Sequence, residues 1–246
     1  MTVQIAPGVE WLNQCYEHEG SHEHVSLYLL HAPEGTVLVD SGSFYHREEI
    51  TAAVDEATGG EGPDAIVLSH SDYPHAANVS SLGGDTEGVE LVASSASPAQ
   101  QGLPNARKCD IGGTLTIQGR EFSFIDPPLA DRSHTTWIYD HGDGVLFTAD
   151  GFGNYHDPGQ CDYRSGDFPE STPAEQIYEY HRDNLVWLRY VAPEKVERTL
   201  EDIFTSYDVR AVAPIHGNPI EGEDLDTYRG RLSEAMERIA SEYSVG

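Results

Sequence analysis

Ile66-Val67-Leu68-Ser69-His70-Ser71-Asp72-Tyr73-Pro74-His75 is the stretch from which the fold can be read. A short apolar, β-branched run ends abruptly in His, Asp and His. A buried strand that delivers imidazoles and a carboxylate to one loop is a common way for α/β proteins to build a metal site. Such a loop supplies only part of a coordination sphere, so residues far along the chain are expected to complete it.

Towards the amino terminus, residues 3–12 read as a strand and turn. A His-rich loop follows, with His18, His22 and His24 among Glu17, Glu19 and Glu23. Strands are predicted over 25–31 and 36–39, joined by the Ala32-Pro33-Glu34-Gly35 turn, and the second runs into Asp40-Ser41-Gly42. Residues 44–57 carry Ile50, Val54 and Ala57 at helical spacing, and Gly59-Gly60 stops that helix. Beyond the opening stretch, a helix is expected to begin over 78–82 and a strand over 89–93, followed by a weakly helical Ser/Ala/Pro/Gln segment. Strand patterns recur over 114–117, 121–125, 136–139 and 145–149. A long Gly/Asp/Tyr/Pro loop over 153–171 comes next, and a loop of that length in a compact domain is usually functional. Helices are predicted from Pro173 to about residue 190 with Thr172 as cap, and from Pro193 to about residue 206. A strand over 209–213 and a charged helix over 221–243 close the chain. Strands cluster in each half with helices after each cluster, and no linker divides residues 1–246. This order suits one α/β domain, a four-layer αβ/βα sandwich of two sheets with helices outside.

The 246 residues carry a net charge of −28, and Lys108 and Lys195 are the only lysines. The acidic residues are dispersed, which suits a solvated acidic surface like that of cytosolic proteins from salt-loving organisms and disfavours nucleic acid. No apolar run reaches membrane-spanning length and the first residues lack a signal-peptide pattern, so a cytoplasmic address is expected. Cys15, Cys109 and Cys161 are odd in number and form no paired motif, which argues for a reducing compartment and against a disulfide. Neither a phosphate-binding glycine loop nor a Gly-x-Ser-x-Gly elbow is present.

Four predicted strands end in a metal-capable residue: Asp40, His70, Asp150 and His216. Any one of them alone is an ordinary polar strand end. Together, at one edge of a sandwich, they suit a pair of cations, whose mutual repulsion calls for bridging anionic oxygens. His22, His24, Tyr155 and His156 are candidates for the pocket wall.

These residues resemble the metallo-β-lactamase superfamily. Asp40-Ser41-Gly42 is similar to its Asp-x-Gly turn, and His70-x-Asp72-x-Pro74-His75 to its His-x-His-x-Asp-His motif. Phe147-Thr148-Ala149-Asp150 resembles its strand ending in a bridging Asp, and Ala213-Pro214-Ile215-His216-Gly217 its last ligand His. Asp72, in place of the motif's second His, and Gly151-Phe152-Gly153 after Asp150 look like the flavodiiron branch. That resemblance implies a di-iron-type centre binding or reducing O2 or another small molecule. It implies two metal ions, iron first and zinc or manganese as alternatives, held by His70, Asp72, His75, Asp131, Asp150 and His216. The chain resembles standalone members without a flavin domain, which implies a separate electron-donor protein and head-to-tail pairing of copies. Two departures stand out. Pro74 replaces an Asp ligand, and the family's third His falls on Asp131, with His134 three residues away as the alternative. A metallohydrolase acting on an ester, amide or thioester, or a degenerate non-catalytic member, remain as other readings of the same residues.

Overall fold

The computed structural model describes residues 2–18, 20–84, 88–94, 103 and 105–243. The chain begins with two hairpins: β1 (Thr2–Ala6) with β2 (Val9–Leu12), and β3 (Cys15–His18) with β4 (Ser21–His24). A third pairs β5 (Leu27–Ala32) with β6 (Gly35–Val39) around the expected Pro33-Glu34 turn. Helix α1 (Arg47–Thr58) ends on Gly59, whose φ of 70° is the left-handed conformation a helix stop requires. It returns the chain so that β7 (Ala65–Leu68) lies parallel to β6. After a single helical turn, α2 (Tyr73–Ala76), β8 (Glu90–Ser94) and β9 (Arg107–Cys109) extend the sheet in parallel.

The second sheet opens with the meander β10 (Thr114–Ile117), β11 (Arg120–Ile125), β12 (Trp137–Asp140) and β13 (Val145–Phe147). Helices α3 (Ala174–Asn184) and α4 (Pro193–Ser206) then carry the chain to β14 (Ala211–Ala213), which pairs parallel to β13. The short β15 (Ile220–Glu221) and helix α5 (Leu225–Glu242) follow. Strand order is β1-β2-β5-β6-β7-β8-β9 in one sheet and β10-β11-β12-β13-β14-β15 in the other.

Strand periodicity explains the four layers. Successive side chains on a strand point to opposite faces, so a strand covered on both sides must be apolar throughout. Val67 of β7 joins Val37, Val39, Phe122, Phe147 and Ala213 in the core between the sheets, whereas Ile66 and Leu68 join Ile50 and Val54 of α1 on the outside. The second sheet repeats the pattern. Ile138 and Phe147 face inward, while Trp137, Tyr139, Leu146 and Val212 pack against α3, α4 and α5. Helix α4 offers Val196, Leu200 and Ile203 at helical spacing to Leu232, Met236 and Ile239 in the same outer core. Full burial of each such side chain stabilises by roughly 1.5–3 kcal/mol. The result is an α/β fold of two mixed sheets flanked by helices, as the sequence pattern predicts.

Several local expectations are corrected. The His-rich segment after Tyr16 is not an irregular loop but the β3–β4 hairpin. The helix expected over 78–82 is a run of turns, and the helical turn falls instead at α2, where Pro74 sits in the first turn and cannot obstruct it. Pro173, not Thr172, occupies the cap position of α3, and no side chain caps that end. The helix predicted to reach residue 190 breaks at Leu185, beyond which Val186–Tyr190 forms a 3-10 turn. Strands β9 and β15 were not anticipated, being too short to show a pattern. The weakly helical stretch at 95–101 lies outside the described residues.

The cysteine expectation is overturned outright. Cys15 and Cys161 form a disulfide across 146 positions of sequence, with Cα atoms 5.8 Å apart. The odd count reflects Cys109, which is free and buried. In chain-entropy terms a bridge closing so long a loop stabilises by about 4–5 kcal/mol. Cysteine usage therefore gives no support to a reducing compartment. Among the described residues no helix is long and apolar enough to cross a membrane.

His181, on α3, tests the burial of the outer core. Its Nδ1 donates to the Ile177 carbonyl at 2.8 Å, and its buried Nε2 meets no partner among the described residues. Burial, only partly opposed by that hydrogen bond, lowers its pKa to about 4. The unfolded chain takes up this proton below pH ~6.5 and the folded chain does not until pH 4, so stability falls as pH drops through that window. The linkage amounts to about 3 kcal/mol by pH 4. Urea unfolding between pH 7 and 4 should show a shallower acid loss in His181→Met than in the parent chain; equal slopes would contradict a neutral buried imidazole.

Candidate metal centre

Two pairs of parallel strands, β6 with β7 and β13 with β14, point their carboxyl ends to the same rim of the sandwich. Parallel strands collect functional groups at such ends because the chain must leave the sheet there. β6 leads to Asp40, β7 to Ser69 and His70, β13 to Asp150, and β14 to His216. Backbone hydrogen bonds tie the segments together at this rim: Thr136 N donates to the Ser69 carbonyl at 2.9 Å and Ile215 N to the Ala149 carbonyl at 2.9 Å.

Asp150 is the hub. Its Oδ1 lies 3.1 Å from His216 Nε2 and 3.3 Å from His75 Nε2, while its Oδ2 lies 3.4 Å from His70 Nε2. Asp131 Oδ1 is 3.8 Å from His70 Nε2. His70, His75 and Asp150 form one group with potential ligand atoms all within 4.8 Å of one another, and His70, Asp72 and Asp131 form another. The carboxylate of Asp150 thus reaches imidazoles on either side with different oxygens.

The ligand-type imidazoles are held from behind. His75 Nδ1 lies 2.9 Å from Asp40 Oδ2, and Asp40 is fixed by Ser69, whose N and Oγ donate to its two oxygens at 2.8 and 2.7 Å. His216 Nδ1 donates to the His24 carbonyl at 2.8 Å and lies 3.0 Å from Glu23 Oε1. A carboxylate on the remote nitrogen orients an imidazole and raises its basicity. The backbone is held in unusual conformations here, with positive φ at Asp40, Ala149 and Phe152. Gly153 is required because a Cβ would meet the Tyr180 ring and the His216 carbonyl.

The charged groups of the cluster act strongly on one another. Burial would raise Asp150, but the surrounding His75, His216 and His70 hold it well below the usual carboxylate range. Burial would lower His75 and His216, yet Asp150 with Asp40 lifts the first to about 9, and Asp150 with Glu23 lifts the second to about 10. His70 drops to about 3 through burial and the neighbouring His75, and Asp131 rises to about 7 through burial and Asp150. His75 and His216 keep their protons against burial because the carboxylates beside them demand positive charge. Asp150 Oδ2 is nevertheless buried without a hydrogen-bond donor among the described residues. Imidazole nitrogens and carboxylate oxygens converging on an unsatisfied anion fit divalent cations.

The candidate ligands and pocket residues all lie among the described residues. His70, His75, Asp150 and His216 meet, and Asp72 and Asp131 join from the more open side. Asp131 Oδ1 faces His70 Nε2, while the His134 ring lies edge-on to the His70 ring at 6.0 Å between centroids with its Nε2 3.8 Å from Asp72 Oδ1. Pro74 lines the cleft without a ligand atom. Tyr155 sits behind the wall, its ring against Tyr180 and its hydroxyl accepting from Asn184. His22, His24 and His156 are gathered together rather than at the cleft: His24 stacks on His156 at 4.2 Å between centroids, with His22 5.8 Å from His156. Three contributors were not foreseen. Arg132 donates to Asp72 Oδ2 at 2.8 Å, Glu23 backs His216, and Tyr180 donates to the Asp150 carbonyl at 3.0 Å. Alternation along β4 would have revealed Glu23, had the hairpin been recognised. The cleft over the cluster measures about 650 Å3 and is bordered by Tyr16, Tyr73, Val186 and Trp187.

A sequence model of the metallo-beta-lactamase superfamily matches residues 21–163. The chain belongs to that superfamily. Within it, the type A flavoprotein fprA of Rhodobacter capsulatus is 25% identical across 98% of this chain and 57% of its own length. A hydroxyacylglutathione hydrolase of Xanthomonas campestris is 32% identical, over 50% of this chain and 45% of its own length. The chain thus spans about half the length of the curated relatives it matches. Among solved structures, a flavo di-iron protein from Thermotoga maritima superposes with a TM-score of 0.78 at 17% identity, over 96% of this chain and 61% of that one. The rubredoxin oxygen:oxidoreductase of Desulfovibrio gigas gives 0.75 at 16% identity, over 96% and 62%. At these identities the structural likeness shows the metallo-beta-lactamase fold.

Asp40→Asn should retain the fold but lose the grip on His75. Metal retention measured by chelator competition is expected to weaken about 10–100-fold; an unchanged affinity would remove Asp40 from the site's support.

Proposed function

We propose that this chain holds a pair of metal ions in the His/Asp cluster, iron in preference to zinc or manganese, and binds or reduces O2 or a similarly small molecule there. The observation that carries this is the Asp150 carboxylate, one oxygen facing His75 and His216 and the other facing His70 beside Asp131. His75, His216 and Asp150 would hold one ion; His70, Asp131, Asp72 and Asp150 the other. Imidazoles with several carboxylates and no thiolate suit iron or manganese, and the neighbouring flavo di-iron proteins favour iron. When bound, such a pair supplies one-electron redox steps and open coordination positions. Electrons would arrive from a separate donor protein.

The chain's own residues have definable tasks. Asp40 and Glu23 keep His75 and His216 aimed at the centre. Tyr180, fully committed to the Asp150 carbonyl, makes a rigid wall, and Trp187 is pinned by its indole N–H to the Ala130 carbonyl at 2.8 Å. Asp72 is partly exposed and paired with Arg132; burial would raise its pKa, but that hydrogen bond together with His70, His134 and the Arg132 charge lowers it. Asp72 Oδ1 stays open to a cation while its Oδ2 accepts from Arg132, and Pro74 adds no ligand atom. The two half-sites are therefore unequal, with the one around His75 and His216 deeper and better supported.

Elemental analysis of protein purified without added metal tests this directly. Iron as the main metal, a visible absorption that changes when the ferrous protein meets O2, and loss of both in Asp150→Ala are expected. Zinc together with turnover of thioesters, abolished by the same substitution, would overturn the redox assignment in favour of a hydrolase.

A further inference from the structure

The β3–β4 hairpin has two working faces. Cys15 pairs with His24 and Tyr16 with Glu23 across it, so period-two alternation sends these pairs to opposite sides. Tyr16 and Glu23 line the metal cleft. On the other side Cys15 meets Cys161 and the imidazole of His156, whose Nε2 lies 3.3 Å from Cys15 Sγ. Cys15, His156 and Cys161 form a third group with potential ligand atoms within 4.8 Å of one another. His156 is fully buried, backbone-bridged to His22 and stacked on His24. Its Nδ1 is buried and has no hydrogen-bond partner among the described residues. His24 Nε2 is occupied, donating to the Cys161 carbonyl at 2.8 Å, and that contact positions the loop carrying Cys161. Neither cysteine is fully buried.

We propose that Cys15, Cys161 and His156 form a redox-gated site for a thiolate-loving divalent cation of the zinc class, separate from the His/Asp centre. In the oxidised state the S–S bond occupies both sulfurs and the site is closed. An external dithiol opens it by exchange: the Cys15–Cys161 bond breaks, the pair gains two electrons and two protons, and the dithiol becomes a disulfide. A cation then displaces the two thiol protons and takes Cys15 Sγ, Cys161 Sγ and His156 Nε2, leaving a fourth position for water. An external disulfide reverses the sequence, releasing the cation as the S–S bond reforms. Hairpin and loop are joined in both states, covalently in one and through a shared cation in the other.

The test uses the full chain, stripped of metal and titrated with Co2+ with and without prior phosphine reduction. Alkylation of the denatured, unreduced chain should find one thiol, Cys109. Reduced protein should bind one Co2+ more than oxidised protein and show near-ultraviolet thiolate-to-cobalt charge transfer. The band should vanish in Cys161→Ser and His156→Ala and survive in Cys109→Ser. It should also survive in Asp150→Ala, which separates this site from the His/Asp centre. If the cysteine variant fails to fold, comparison of the two redox states of the parent chain decides alone. Equal Co2+ counts in both states, a band that persists without Cys161, or three thiols in the unreduced chain would overturn the proposal.

Discussion

A carboxylate taken out of water must be repaid with positive charge, and Asp150 is such a carboxylate, set among three imidazoles at the rim where both sheets end. An unpaired buried ion costs several kcal/mol, so the surroundings of Asp150 are the most constrained part of the molecule. Protons on His75 and His216 meet that demand, and a cation ligated by their Nε2 atoms would take the place of those protons. The parallel pairing of β6 with β7 and of β13 with β14 brings the necessary groups together, and the positive φ at Asp40, Ala149 and Phe152 is the local strain this convergence imposes.

Support for the centre is graded across the cleft. His75 and His216 each lean on a buried carboxylate, Asp40 and Glu23 respectively. His70, on the other side, shares Ser69 Oγ with His75 and faces carboxylates that are partly solvated. Asp72 is tied to Arg132, and Pro74 adds no donor. This asymmetry makes the outer half-site the more adjustable one. The β3–β4 hairpin acts as a partition, with Glu23 on the metal side and a cluster of sulfur and imidazole on the other.

Residues whose neighbours repeat with strand period were legible from sequence. The apolar runs through Val67, Phe147 and Val212 predicted buried strands, and Asp40, His70, Asp150 and His216 stood out because they end those runs. Asp131 is implied by the family resemblance, as the position of the third His, and geometry places it beside His70. What escaped were features set by long-range pairing. Residues 15–24 are too polar for a strand pattern, so the hairpin, the role of Glu23 and the gathering of His22, His24 and His156 away from the cleft were hidden. The Cys15–Cys161 bridge spans 146 positions, a pairing that spacing cannot encode. Arg132 adjoins Asp131, yet its pairing with Asp72 depends on the loop after β11 folding over α2.

The central claim is that Asp150 spans two cations. Anomalous diffraction at the iron edge, from crystals of the iron-loaded chain, tests it most directly. The account predicts two iron peaks about 3.5–4 Å apart, with one Asp150 oxygen on each. A single peak, or a pair of peaks that Asp150 does not bridge, would contradict it.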